Sequence, residues 1–209
     1  MSRQEPTGDA SSIAFSLRIV TDRLVLRPPR TADVTEVRRA LRANAGHLQP
    51  WSVATDPDSD PTSLTAVSQS ILNYRRDWKR GRAYVLMISP REDVSRIVGR
   101  IAFAGVFRGA FQNAYLGYWI DEAHQGRGLM TEAVEAATSF AFTQAGLHRV
   151  QAAVMPRNPA SIRVLEKVGY RREGFAVKYL RIAGTWEDHW LFAMTSDEWR
   201  GDRHGGIAP

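Results

Sequence analysis

The residues with most chemistry to offer lie in one run, His124-Gln125-Gly126-Arg127-Gly128-Leu129-Met130-Thr131-Glu132-Ala133. A strand-like segment, 115–120, precedes it. A helical pattern follows, with Met130, Ala133, Val134, Ala137, Phe140 and Ala141 on one face. Two glycines at a strand-to-helix turn bare the backbone where a helix N-terminus presents unpaired N–H groups, which suits a phosphate-bearing ligand. Glycine also marks ordinary tight turns, so the pair alone decides little. A second helix start stands at Asn158-Pro159, an amide able to cap followed by proline at the first helical position, with Ser161 in the first turn.

The elements that must position these residues read as follows. A strand over 17–27 is broken at Thr21-Asp22 and ended by Pro28-Pro29. Asp33 and Glu36 form a plausible capping pair for a helix carrying Val34, Val37 and Leu41, which Gly46 stops. A loop through His47-Leu48-Gln49-Pro50-Trp51 and an acidic linker over 56–61 lead to a second helix, marked by Leu64, Val67, Ile71, Tyr74 and Trp78. Strands at 84–88, 97–107 and 114–120 imply an antiparallel meander. After the glycine turn and its helix come a strand at 149–155, a helix from Pro159 to the stop at Gly169, and strands at 174–182 and 185–194 around Ala183-Gly184. The order β-α-α-β-β-β-α-β-α-β-β predicts an α/β fold: a mixed sheet of about seven strands, mostly antiparallel, with helices on both faces. We expect one domain over 13–197, a disordered leader at 1–12 and a flexible tail at 198–209.

Composition narrows the class. The chain has 209 residues, enough for one well-cored domain and few for two. No apolar run approaches the ~18 residues of a membrane span. There is no cysteine, which excludes disulfides, thiolate metal sites and a cysteine nucleophile. These features favour the cytoplasm. The net charge of +6, much of it on arginine-rich helix faces such as Arg38, Arg39, Arg42, Arg75 and Arg76, suits an acidic ligand, a ribosome or RNA contact, or simply a solvated surface.

With these residues in place the chain resembles the GNAT acyl-CoA N-acyltransferase superfamily. Gln125-x-x-Gly128-x-Met130 matches its acetyl-CoA signature except at the last position, where Met130 replaces glycine or alanine. Asn158-Pro159-Ala160-Ser161 with Val168-Gly169-Tyr170 matches a second landmark. Within the superfamily the chain is most similar to the RimJ/RimL group of ribosomal-protein N-terminal acetyltransferases, and closest to RimJ. Thr21-Asp22-Arg23-Leu24, Leu48-Gln49-Pro50-Trp51, Gly128-Leu129-Met130-x-Glu132 and Trp186-x-Asp188-His189 carry that likeness.

The resemblance implies acetyl-CoA as donor, a protein N-terminal amine as acceptor and no metal. It places the CoA pyrophosphate on Gln125, Gly126, Arg127, Gly128, Leu129 and Met130, and pantetheine on the edge of Tyr118, Trp119 and Ile120 beside a splayed parallel pair. Asn158 caps its helix and, by resemblance, also reaches pantetheine. Ser161 either protonates the leaving thiolate or bonds its own backbone. No carboxylate lies on 97–107 or 114–120, where many family members carry a base. Asp188, in phase with Trp186, Trp190, Phe192 and Met194, would be partly withdrawn from water and suited to proton removal, or else buried and satisfied structurally. Glu173, Glu187 and His189 are weaker options, and His124 reads as a loop residue. Trp51 either walls the acceptor groove or anchors its loop. A small free amine as acceptor, or a non-catalytic ribosome- or RNA-binding role, would use the same fold.

Overall fold

The computed structural model describes residues 13–53, 60–201 and 207–208. The expected leader, most of the acidic linker and residues 202–206 and 209 of the expected tail lie outside them. In chain order the elements are β1 (Arg18–Val20), β2 (Leu24–Arg27), α1 (Val34–Ala43), α2 (Ala45–Leu48), α3 (Leu64–Lys79), β3 (Tyr84–Pro90), β4 (Gly99–Phe107), β5 (Asn113–Ile120), α4 (Leu129–Thr143), β6 (Arg149–Val154), α5 (Pro159–Val168), β7 (Arg171–Ile182), β8 (Thr185–Thr195) and β9 (Ile207–Ala208). One sheet holds all the strands in the order β7-β8-β6-β5-β4-β3-β2-β1-β9. Among the described residues only the β5–β6 pair is parallel. The count exceeds seven because Thr21 closes a turn onto Leu24, splitting the first strand into a hairpin, and because β9 pairs with β1.

Two other local expectations are corrected. Asp33 and Glu36 do not act as a capping pair. The Asp33 carboxylate accepts from the Arg30 N–H (2.7 Å) and both terminal nitrogens of buried Arg27, while Glu36 takes the Ile97 N–H and Arg39. Helix α1 ends at Asn44 rather than Gly46, and the presumed loop winds into α2 and a 3-10 turn over Gln49–Trp51. Buried Asn44 is the reason. Its amide N–H bonds the Ala40 carbonyl at 2.9 Å and its Oδ1 accepts from the Glu122 N–H at 2.8 Å, tying this helix end to the segment after β5.

Strand alternation sorts the core into two layers. Tyr84, Leu86 and Ile88 of β3, with Ile101 and Phe103 of β4, pack with α4 and α5. Val85 and Met87 face α1 and α3, with Val37, Val67 and Ile71. Trp78 joins the first layer, its ring 5.1 Å from Tyr84 and 5.8 Å from Phe140. Helix α4 is buried on nearly every side, Glu132, Glu135, Thr138 and Ser139 included: α5 packs along it, Thr138 lies 2.8 Å from the Tyr170 hydroxyl, and the β1–β2 turn covers Glu132. Among the described residues no helix is long and apolar enough to cross a membrane.

The feature that positions the site is the parallel pair. β5 and β6 are in register only from Asn113↔Arg149 to Tyr115↔Gln151. β5 then continues to Ile120 held by β4, and β6 to Val154 held by β8. The two strands therefore diverge toward their C-terminal ends, and the edge of β5 over 116–120 faces an unladdered gap. Gly99 keeps β4 against β5 at this end: a Cβ there would stand 2.6 Å from the Trp119 carbonyl oxygen.

Candidate active site

Both helices that follow the diverging strands start at the mouth of the gap. After β5, Asp121 accepts the Ala123 N–H at 3.0 Å and sits 3.6 Å from His124 Nδ1, closing a 3-10 turn that leads into the glycines. Gly126 and Gly128 have φ of 70° and 75°. A Cβ at Gly126 would meet nothing within 4 Å, so the left-handed backbone, not crowding, calls for glycine there. Glu132 N is the first to bond back into the helix, to Gly128 O at 3.2 Å. The N–H groups of Leu129, Met130 and Thr131 thus have no acceptor inside α4, and they stand at the positive end of its dipole. Leu129 and Met130 bury their side chains in the core. The bulk of Met130, which departs from the family signature, is therefore turned away from the turn, and only its backbone is offered.

The turn is held by a clasp that motif reading did not assemble. Glu132, buried in the first turn of α4, accepts the Thr21 hydroxyl at 2.6 Å, the Arg23 N–H at 3.0 Å and Arg23 Nε at 2.7 Å. Arg23 Nη1 also donates to the Arg127 carbonyl at 2.8 Å. Burial opposes ionisation of Glu132, but the Thr21 and Arg23 bonds outweigh it and hold its carboxyl below the usual carboxylate range. Half-exposed Arg23 and exposed Arg127 add positive charge beside the free N–H groups. Gln125 turns instead to His47, Nε2 to Nε2 at 2.7 Å.

On the other side of the gap Asn158 caps α5, its Oδ1 accepting the Ser161 N–H at 3.1 Å. Its amide nitrogen has no partner among the described residues, so a ligand contact stays open to it. The Tyr118 hydroxyl donates to the Ser161 carbonyl at 3.1 Å, and Ser161 Oγ lies 2.9 Å from the same hydroxyl oxygen. Tyr118 thus reaches from β5 to α5 across the gap. Burial pushes its phenol well above its ordinary value, against the Ser161 bond, so it stays protonated through the neutral range. The strand pattern nominated Tyr118 for its backbone; its side chain went unread because the partner lies 43 residues away.

The remaining nominees gather around the β7–β8 hairpin. Half-buried Trp51 lies under the Arg157 guanidinium, 5.0 Å from ring centroid to Cζ, and Arg157 also bonds the Pro50 carbonyl (3.2 Å) and Glu187 (2.9 Å). Val53 bridges to Ile182, and Ala183 N–H donates to Ser52 O at 3.0 Å, so this loop is pinned to the hairpin. Arg157, next to Asn158, was missed; its place one residue before a helix cap was the available signal. Asp188 is half-buried and its Oδ1 accepts the Lys178 N–H at 2.7 Å, where β7 bulges and Lys178 has φ 47°. The apolar face expected for it ends sooner, since Phe192 and Met194 are buried but Trp186 is 59% exposed. Glu173 is engaged by Arg149 and Arg171; the Arg149 hydrogen bond leads in holding its carboxyl low. His189 is buried, with Nδ1 2.9 Å from the Glu187 carbonyl.

The diverging strands, the glycine turn and the capped α5 are the parts by which an acyl-CoA transferase is known, and comparison agrees. Residues 23–171 match the acetyltransferase (GNAT) domain family. The chain belongs to this family and is an acetyl-CoA-dependent N-acetyltransferase. It is 35% identical over 184 residues to the ribosomal protein uS5 alanine N-acetyltransferase of Escherichia coli, covering 88% of this chain and 93% of that one. Among solved structures, Mycobacterium smegmatis RimJ in complex with CoA-disulfide superposes with a TM-score of 0.80 at 32% identity, over 86% of this chain and 85% of that one. The ribosomal-protein-S5-alanine acetyltransferase of Vibrio fischeri gives 0.80 at 28% identity, over 88% and 98%.

Proposed function

We propose that the chain acetylates the N-terminal α-amino group of a protein in the cytoplasm, a ribosomal protein with a small first residue such as alanine. The observation that carries this is the gap between β5 and β6, with free helix N–H groups at its mouth and a hydroxyl pair on its α5 side. The donor half suits acetyl-CoA: pyrophosphate on the N–H groups of the turn 125–130, flanked by Arg23 and Arg127, and pantetheine along the free edge of Tyr118, Trp119 and Ile120. One N–H of that edge polarises the thioester carbonyl. Asn158 offers its amide nitrogen to the pantetheine arm. The relatives' uS5-alanine specificity supports the α-amine acceptor, and the basic surface suits approach to a ribosome.

In the reaction the neutral amine attacks the thioester carbon, a C–N bond forms and the C–S bond breaks. Ser161 gives its proton to the departing thiolate beside the Tyr118 hydroxyl and is reprotonated from solvent. Asp188, directly or through water, takes the proton of the amine. An α-amino group has pKa ~7.7–8.0 and a lysine ~10.4, so freeing the amine at pH 7 costs about 1 kcal/mol for the first and about 4.5 kcal/mol for the second. A modest base therefore serves an N-terminal acceptor and fails a lysine. Trp51, pinned to the hairpin, walls the acceptor entrance.

The test is acetyl transfer from acetyl-CoA to peptides with alanine or serine first, to an N-blocked lysine peptide and to small polyamines, followed by CoA release and mass. Transfer to the α-amine peptides with little to the rest is expected. Faster transfer to lysine or polyamine, or none to any α-amine, would overturn the reading.

A further inference from the structure

Arg100 lines a pocket beside the free edge of β5, and among the described residues no carboxylate neutralises it. Arg100 of β4 pairs across strands with Trp119, a residue of the free-edge stretch of β5, and both line a pocket of about 40 Å³ with Val37, Leu41, Tyr74 and Met87. By the measure in which one water needs ~10–15 Å³, this is room for about three waters or a single carboxylate. Arg100 is half-buried, stacks 5.4 Å from the Tyr74 ring and donates through Nη1 to the Tyr74 hydroxyl. Its Nε is buried with no hydrogen-bond partner, and among the described residues no carboxylate forms an ion pair with it. The guanidinium is thus anchored at one end by a neutral phenol, while the Nε–Nη2 edge, the fork that matches a carboxylate, is unmet. Leaving such a cation half-desolvated and unpaired is unfavourable unless something anionic completes it. The neighbouring cations already have partners: Arg39 holds Glu36, and Arg27 holds Asp33.

We propose that this pocket receives the side-chain carboxylate of an acidic residue near the acceptor's N-terminus, with Arg100 as its counter-ion and specificity determinant. The proposal rests on the acetyl-transfer reading above. Position follows from reach. Strands lie ~4.8 Å apart, so Arg100 is one strand removed from the edge where the thioester would lie. An extended peptide advances about 3.3–3.6 Å per residue. An amine at that edge therefore brings its second or third residue over the pocket. There an Asp or Glu takes Nη2 directly, and Nε after a small rotation of the arginine. The surrounding Trp119, Met87 and Leu41 keep water from the pair and strengthen it.

The experiment compares peptides that begin with alanine and differ only in Glu against Gln, or Asp against Asn, at the second and third residues. Wild-type enzyme should show a kcat/KM about tenfold higher for an acidic peptide than for its amide twin, as a charge-assisted pair implies. Arg100→Gln should erase that preference, bringing acidic and amide peptides to equal kcat/KM. Arg100→Lys should keep part of it, having the charge without the fork. Equal rates on acidic and amide peptides with wild type, or a preference that survives Arg100→Gln, would overturn the proposal and leave acetyl transfer standing. Failure to acetylate any peptide would overturn both.

Discussion

The two halves of the site are made of different materials. On the proposed donor side the groups offered to acetyl-CoA are mostly backbone: the N–H groups of Leu129, Met130 and Thr131 and the edge of β5 over 116–120. The turn is held by buried Glu132 on Thr21 and Arg23, and the facing helix α5 by the Asn158 cap on Ser161. On the proposed acceptor side the groups offered are side chains, Trp51, Arg157, Glu187 and Arg100, brought from four separate segments and joined in part by exposed contacts. An ion pair such as Arg157–Glu187, with Arg157 45% exposed, contributes little to stability. Backbone geometry belongs to the fold and is shared by every member that makes the same turn. Side chains on loops can change one at a time, so one donor half can serve many acceptors.

If the donor half is rigid and supplies the acid while the acceptor half selects and supplies only a modest base, substitutions should sort accordingly. The largest effect is expected at Ser161. The Asn158 cap uses the Ser161 N–H rather than its hydroxyl, so Ser161→Ala keeps the helix start and removes only the proton donor. Turnover should fall about 100-fold, the scale of general acid catalysis, with the KM for acetyl-CoA nearly unchanged. A turnover within twofold of wild type would take Ser161 out of the reaction.

Next in size is Gly128→Ala. The residue has φ 75°, and a left-handed backbone costs a non-glycine residue roughly 1–2 kcal/mol. The turn should relax away from the ligand-binding conformation and raise the KM for acetyl-CoA about tenfold, leaving the peptide KM alone. Steady-state kinetics with each substrate varied in turn would show it. A rise in the peptide KM instead would mean that the two halves are mechanically coupled, against the division drawn here.

That division also explains what was legible in advance. Apart from the split first strand, α2 and β9, the order of elements, the antiparallel meander, the parallel pair and the glycine turn could be read, because hydrophobic period, glycine and Asn-Pro act locally along the chain. Tyr118 with Ser161, Thr21 and Arg23 with Glu132, and Arg100 beneath α1 and α3 could not. Each joins residues tens to more than a hundred positions apart, or depends on which face of a strand meets which helix. Thr21-x-Arg23 and Glu132 were both noticed, but as separate marks of family likeness. Nothing local says that one clasps the other. The Asp33–Glu36 pair erred the other way: a good local cap signal was overridden when Arg27 and Ile97 offered tertiary partners.

The smallest expected effect is the most discriminating, because it separates chemistry from scaffolding in one side chain. Asp188 accepts the Lys178 N–H at the β7 bulge, so removing it entirely would confuse a lost base with a lost support. Asp188→Asn keeps an oxygen for that N–H and removes only the carboxylate. An α-amino group with pKa ~7.7–8.0 is neutral in roughly one molecule in seven at pH 7, and the work of a base is to make up that factor. Hence kcat/KM should fall about fivefold at pH 7, and the deficit should shrink toward nothing near pH 9, where the amine is already neutral. A deficit of the same size at both pH values would assign Asp188 to holding the bulge. No deficit at either would leave water as the acceptor of the proton, and the acceptor half would then contribute shape and charge but no step of the chemistry.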